Sequence, residues 1–267
     1  MIENTNEIIN YIMENKIFDD FMILNGFSKT QLEEYKKEFK QLKSFKINEN
    51  VFNTKQTISE NLLKFIRLTT EFFFTLTFKA MKICENDGNV NKDNNNLGTP
   101  ARLSKMYVPK SLYDNSEPLS GRWCYPPKVS VFDNSENLKD PVTVTVSINA
   151  MCSHHLFRFG NEEFNENSKA IISYVPNKKI IGLSKIGRIV NFISKRGWLQ
   201  EELTNTIGET IKNLLNTDDI YVTLINMQHG CATFRGHEDT NFYTTTEYTS
   251  GKYKDNEFKK LILQTLK

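Results

Sequence analysis

Met151 to Phe159 reads Met-Cys-Ser-His-His-Leu-Phe-Arg-Phe, which puts one thiol and two imidazoles within four positions. The chain has only four histidines, and three of them, His154, His155 and His229, lie in short motifs that also hold a cysteine. Cys152 and His155 are spaced Cys-x-x-His, and His229 and Cys231 are spaced His-x-Cys. Thiolate and imidazole donors drawn from two distant segments make a zinc site. With three protein ligands and an open fourth position the site is catalytic, because water held there has its pKa lowered to about 7. On this spacing Cys152, His155 and Cys231 are the expected ligands of a Zn2+ ion. His154 and His229 are then left for proton transfer beside the metal, a task suited to a group that titrates near pH 6.5. The plain alternative is that cysteines at strand ends are small buried residues and nothing more.

Two further sets have the chemistry to hold an anionic heterocycle. Lys185 and Arg188 are three apart and share a helix face, just after Ser184, the expected N-cap of that helix. Backbone N–H groups and the helix dipole favour an anion there, and a polyphosphate fits. Arg235, four residues past Cys231, adds a cation near the proposed metal. Against this stands an ordinary solvated basic face. Gln200-Glu201 opens another helix; a carboxylate can accept two N–H bonds from the amidine edge of guanine, and an amide can serve either polarity. Acidic residues in a first turn are equally common as simple partners of the dipole.

The elements that must position these groups lie in the second half of the chain. From Pro141 the apolar residues Val142, Val144, Val146 and Ile148 alternate with Thr143, Thr145, Ser147 and Asn149, predicting a strand with one buried face that delivers Cys152 at its end. A second strand is expected over Ala170 to Val175. Two amphipathic helices follow, the first with Ile186, Ile189, Val190 and Ile193 and the second with Leu199, Leu203, Ile207, Ile211, Leu214 and Leu215, broken apart at Gly197. Ile220 to Met227 and Phe242 to Thr249 return to strand pattern, and the first of these brings in His229 and Cys231. The order strand, strand, helix, helix, strand, strand predicts an α+β fold, an antiparallel four-stranded sheet with the helix pair on one face.

The first half says less about chemistry. Ile8, Ile9, Ile12 and Met13, then Ser28 to Lys43, and Ser59 to Ile83 with its Phe72-Phe73-Phe74 run, predict three helices. Asn86 to Asn96 reads as a flexible linker, and Thr99 is the expected N-cap of a short helix ending near Tyr107. Residues 1–57 are therefore expected to form a helical N-terminal extension and 58–267 the catalytic domain. At 267 residues and a net charge of +2 the chain can bury a sizeable core, and neither a nucleic-acid partner nor a membrane is expected. No apolar run approaches the roughly 20 residues a span needs, and the first residues lack a signal-peptide pattern, so a cytoplasmic protein is expected, with its four cysteines reduced.

Taken in order, Thr99-Pro-Ala-Arg-Leu-Ser-Lys-Met-Tyr107, Cys152-Ser-His-His155, Tyr174-Val-Pro-Asn177, Ile181-Gly-Leu-Ser-Lys-Ile-Gly-Arg-Ile-Val190, Leu199-Gln-Glu-Glu-Leu-Thr204, His229-Gly-Cys231, Phe234-Arg-Gly236 and Thr244-Thr-Thr246 resemble the motifs of the GTP cyclohydrolase I family over about residues 95–267. The resemblance implies the tunnelling fold. Antiparallel four-stranded sheets would join around a pentameric barrel, two pentamers would stack into a homodecamer, and active sites would lie between subunits. It also implies conversion of GTP and water to 7,8-dihydroneopterin triphosphate and formate, for tetrahydrofolate, pterin or deazapurine synthesis. By the same resemblance Cys152, His155 and Cys231 hold zinc, and His154 and His229 act as acid and base while water adds at C8 of the purine. Ser184 assists the later ribose rearrangement, Gln200 and Glu201 hold the guanine edge, and Lys185, Arg188 and Arg235 hold the triphosphate. The chain departs from the family at Ser153, where a Glu is usual, and in the long acidic connection from Gly160 to Ser168. The family's phosphate-binding residue from a neighbouring subunit has no secure counterpart, with Lys128 and Lys139 as candidates. Ser153 and the long helical N-terminus leave a second expectation, a non-catalytic or regulatory nucleotide-binding paralogue that assembles with an active partner.

Overall fold

A computed structural model describes residues 10–11, 13–41, 58–81, 98–114, 116, 119–160, 168–234, 236 and 242–264. Ile8, Ile9 and Ile12, the Asn86–Asn96 linker, the acidic part of the Gly160–Ser168 connection and Arg235 lie outside the described residues. The chain divides into two compact units, the first reaching to Cys124 and the second holding the described residues from Tyr125 onward. The expected boundary at 57/58 falls inside the first unit, because the long Phe-rich helix packs with those before it.

That first unit contains α1 (Lys16–Leu24), α2 (Lys29–Lys40), α3 (Glu60–Ala80) and α4 (Thr99–Tyr107). Local chemistry sets the starts: Asn15 accepts from the Ile17 N–H at 2.8 Å, Ser28 and Gln31 form a reciprocal capping box, and Ser59 accepts from the Leu62 N–H at 3.1 Å. Helix α4 starts differently from expectation. Gly98, not Thr99, is the N-cap, with φ of 75°, a left-handed conformation that glycine adopts without cost. The core is aromatic, with Phe18, Phe27, Tyr35 and Phe72 set around it and Phe65 at its centre, mostly edge to face.

The second unit runs through β1 (Val131–Asp133), β2 (Val142–Ser147), β3 (Ala150–Met151), β4 (Arg158–Phe159), β5 (Lys169–Tyr174), β6 (Lys179–Ile181), α5 (Leu183–Ser194), α6 (Gln200–Leu215), β7 (Ile220–Met227), α7 (Gly230–Phe234), β8 (Thr244–Thr249) and α8 (Asn256–Gln264). Strands β2, β5, β7 and β8 form one antiparallel sheet in that spatial order, with Val144 opposite Ile172, Ile172 opposite Val222 and Val222 opposite Tyr248. One face of the sheet (Ala170, Ile172, Tyr174, Ile220, Val222, Leu224) shares a buried aliphatic core with Ile186, Ile189 and Ile193 of α5 and Leu203, Ile207 and Ile211 of α6. The mixed helix and antiparallel-sheet architecture thus follows from the two periodicities in the sequence.

Glycine is required twice in this layer. Gly197 turns the chain between α5 and α6 with φ of 79°, and at Gly208 a Cβ would collide with the Tyr248 ring. On the opposite face Tyr253 hydrogen-bonds Ser173 at 2.6 Å, while Lys259 and Tyr221 both donate to Glu247 at 2.8 Å, pinning α8 to the sheet. Helix α5 begins at Leu183 with Gly182 as its N-cap and no side-chain capping bond. Ser184, expected to cap it, is instead an exposed first-turn residue. Among the described residues no helix is long and apolar enough to cross a membrane.

Candidate active site

The Cys-x-x-His segment is the turn of a very short hairpin. Strands β3 and β4 pair Ala150 with Phe159 and Met151 with Arg158. The turn closes through Cys152 N–H to Phe157 O at 2.8 Å and Leu156 N–H to Cys152 O at 2.9 Å, with Leu156 at φ 57°. A second strap comes from the segment between α5 and α6: the Trp198 N–H donates to Met151 O at 3.0 Å and the Ser153 N–H to Trp198 O at 3.1 Å. Cys152 is buried by these contacts, whereas Ser153 and His154 stay exposed.

The other half arrives on β7. Its pairing with β8 is irregular between Leu224 and Met227, where Asn226 has φ of 54°, so the strand end is re-aimed beyond Met227. His229 forms a bridge to Phe159, and the two rings stack at 4.7 Å and 5°. Cys231 follows in the first turn of α7.

These segments meet around a cavity of about 520 Å3 lined by both thiols, the three imidazoles, Gln200, Glu201 and Thr244 among others. Ligand atoms of Cys152, Cys231 and His229 lie within 4.8 Å of one another. Two thiols and an imidazole at that separation are a donor set that fits a soft or borderline divalent ion such as zinc. The imidazole that the structure gathers with the thiols is therefore His229, while His155, assigned from spacing, lines the same cavity half-buried with its ring 4.8 Å from that of His154. Burial pulls the His229 imidazole below its usual pKa, partly countered by the Glu201 carboxylate. Burial likewise raises the Cys231 thiol, and the neighbouring Cys152 raises it further.

The expected guanine pair separates. Glu201 is exposed at the cavity, whereas Gln200 is 3% exposed and its amide is engaged by the protein: the oxygen meets His229 Nε2 at 2.7 Å and Thr244 Oγ1 at 2.6 Å. Ser184, Lys185 and Arg188 do not line this cavity; Ser184 and Arg188 are exposed and Lys185 is half-buried on α5. Spacing alone missed the parts played by Thr204, Thr244 and Thr246, which bond to Gln200 or to one another. Their signals in the sequence are the run of threonines in β8 and Thr204 at the close of the Leu199–Thr204 motif.

Comparison with known proteins supplies a family. A profile of the GTP cyclohydrolase I family matches residues 78–267. The GTP cyclohydrolase 1 of Blochmanniella pennsylvanica is 38% identical over 165 residues, 60% of this chain and 66% of that protein. That of Wigglesworthia glossinidia brevipalpis is 37% identical over 175 residues, 63% of this chain and 73% of its own length. That of Vibrio campbellii is 38% identical over 163 residues, 59% and 67% respectively. The chain belongs to the GTP cyclohydrolase I family.

Proposed function

We propose that the cavity binds GTP and one zinc ion and converts GTP and water to 7,8-dihydroneopterin triphosphate and formate. The observation that carries this reading is the convergence of two thiols and an imidazole beside an exposed carboxylate, in a chain whose relatives are named GTP cyclohydrolase 1. Cys152 and Cys231 would hold the ion together with His229 or His155. A bound zinc ion supplies a Lewis acid and lowers the pKa of water at its open position to about 7. His154, exposed at the rim, and whichever of His155 and His229 is not a ligand would exchange protons with the purine imidazole ring as it opens. The Glu201 carboxylate would accept from the N1–H and 2-amino edge of guanine, and the one N–H of Gln200 not bonded to Thr246 would remain for the purine oxygen.

The tunnelling fold and its decamer complete this reading. Strands β2 and β8 are the sheet's edges and offer ladder groups for pairing with neighbouring copies. Ser184, Lys185 and Arg188, which do not line their own chain's cavity, would then serve a neighbour's triphosphate, with Arg235 adding a further cation.

GTP labelled at C8 tests the reading. Zinc-replete full-length protein is expected to release the label as formate, with a fluorescent pterin after oxidation in equal amount. GTP binding without formate release would instead mark a nucleotide-binding paralogue, the reading that Ser153 in place of the family's Glu favours, and Ser153→Glu measured alongside would show whether that position is the cause.

A further inference from the structure

The hydroxyls around Gln200 have a polarity that can be read off without seeing a hydrogen. Thr204 Oγ1 lies 2.8 Å from the Gln200 carbonyl oxygen, an acceptor only, so the Thr204 hydroxyl proton is spent there. Thr204 can therefore only accept from Thr246, 2.7 Å away, which makes Thr246 the donor in that pair. With its proton committed, Thr246 Oγ1 accepts from Gln200 Nε2 at 3.0 Å. The Gln200 amide is thus oriented from a backbone carbonyl outward: its NH2 must face Thr246 and its oxygen must face Thr244 and His229. With the amide so oriented, Thr244 Oγ1 faces two acceptors, Gln200 Oε1 at 2.6 Å and Met227 O at 3.1 Å, and its one proton goes to the nearer. Since Gln200 Oε1 only accepts, the His229 Nε2 it meets at 2.7 Å must carry a proton.

We propose that the Thr204–Thr246–Gln200 chain is a positioning device that holds His229 with its proton on Nε2, leaving Nδ1 as the nitrogen free to take a metal or a proton. The stacked Phe159 ring fixes the plane of the imidazole and the amide fixes its edge, so both the orientation and the tautomer are set before a ligand arrives. Gln200 then acts on the reaction through His229, in addition to any contact with guanine. This deepens the cyclohydrolase reading and rests on it only for the kinetic arm of the test, because the tautomer can be read without turnover.

Full-length protein labelled with 15N at its four histidines answers the question by magic-angle-spinning NMR, with His229 assigned through the loss of its signals in His229→Gln. The wild type is expected to show His229 protonated at Nε2 and unprotonated at Nδ1. Thr246→Val, isosteric and suited to a strand, removes the acceptor that orients the amide, and a second His229 signal set protonated at Nδ1 is expected. Gln200→Met is expected to produce the same second set and to lower kcat about 10- to 100-fold, beyond any rise in KM from the lost guanine contact; Gln200→Glu, which keeps an acceptor for Nε2, is expected to restore part of that kcat. A wild-type His229 protonated at Nδ1, a tautomer unaltered by both substitutions, or a raised KM with intact kcat in Gln200→Met would each overturn the proposal. If Gln200→Met does not fold, Thr246→Val decides it alone.

Discussion

The helical unit and the sheet unit spend their buried polar groups in opposite ways. In the first, side-chain bonds cap the starts of α1 to α3, and the one buried cation among its described residues, Lys36, is matched by Asp19 at 2.6 Å and Glu33 at 3.2 Å around a core of rings. In the second, Gln200, Thr204 and a half-buried imidazole are packed beside an aliphatic core that would be simpler without them. Buried polar atoms contribute little net stability even when satisfied and cost much when not. Their concentration beside two thiols is therefore a mark of chemistry, whereas the aromatic cluster of α1 to α3 is a mark of folding.

That contrast can be broken by substitution. Cys231→Ser has the largest expected effect: zinc content and GTP turnover fall together to background, measured by metal analysis and formate release on one sample, while the far-UV spectrum is retained. Loss of turnover with full zinc content would separate the thiol from the metal. Phe65→Ala, at the centre of the other unit's core, is expected to cost about 3–5 kcal/mol in urea unfolding of that unit while leaving zinc content unchanged. Gly208→Ala sharpens the comparison within the sheet unit, since the added methyl meets the Tyr248 ring. A loss of about 1–3 kcal/mol is expected despite the better helix propensity of alanine.

The smallest effect concerns pH. Burial raises the Glu247 carboxyl, but hydrogen bonds from Lys259 and Tyr221 and the Lys259 charge outweigh it and hold the group below its ordinary 4.5. With the folded pKa below the unfolded one, this contribution is present above pH 4.5 and is lost as pH falls through the lower folded value. Glu247→Gln is accordingly expected to lower stability at neutral pH by about 0.5 kcal/mol, to leave it unchanged in strong acid, and so to flatten the acid limb by that same amount. An acid limb unchanged by the substitution would remove this contact from the account.

What the sequence made legible follows from period and what it hid follows from approach. Alternating Val and Thr in β2, and the helical stripes of α5 and α6, announce the sheet and its covering helices because each buries one face. The pairs β1–β6 and β3–β4 are two or three residues long, too short for any period, although the second holds the Cys-x-x-His turn. Thr99 and Ser184 looked like caps because each stands within two residues of the true one, and the glycines that cap instead announce themselves only through backbone geometry. Spacing nominates Cys152 and Cys231 and picks His155 as the imidazole, whereas the structure gathers His229 with the thiols through a ring stack with Phe159 and a bond that His229 gives to Gln200.

Zinc K-edge absorption on the full-length protein tests the central claim most directly, because it counts the donors that the sheet unit brings together. The expected spectrum has two sulfur ligands near 2.3 Å and imidazole nitrogen near 2.0 Å, with the nitrogen shell reduced in either His229→Ala or His155→Ala but not in both, naming the third ligand. A protein that retains no zinc, or whose zinc shows no sulfur shell, would contradict the account.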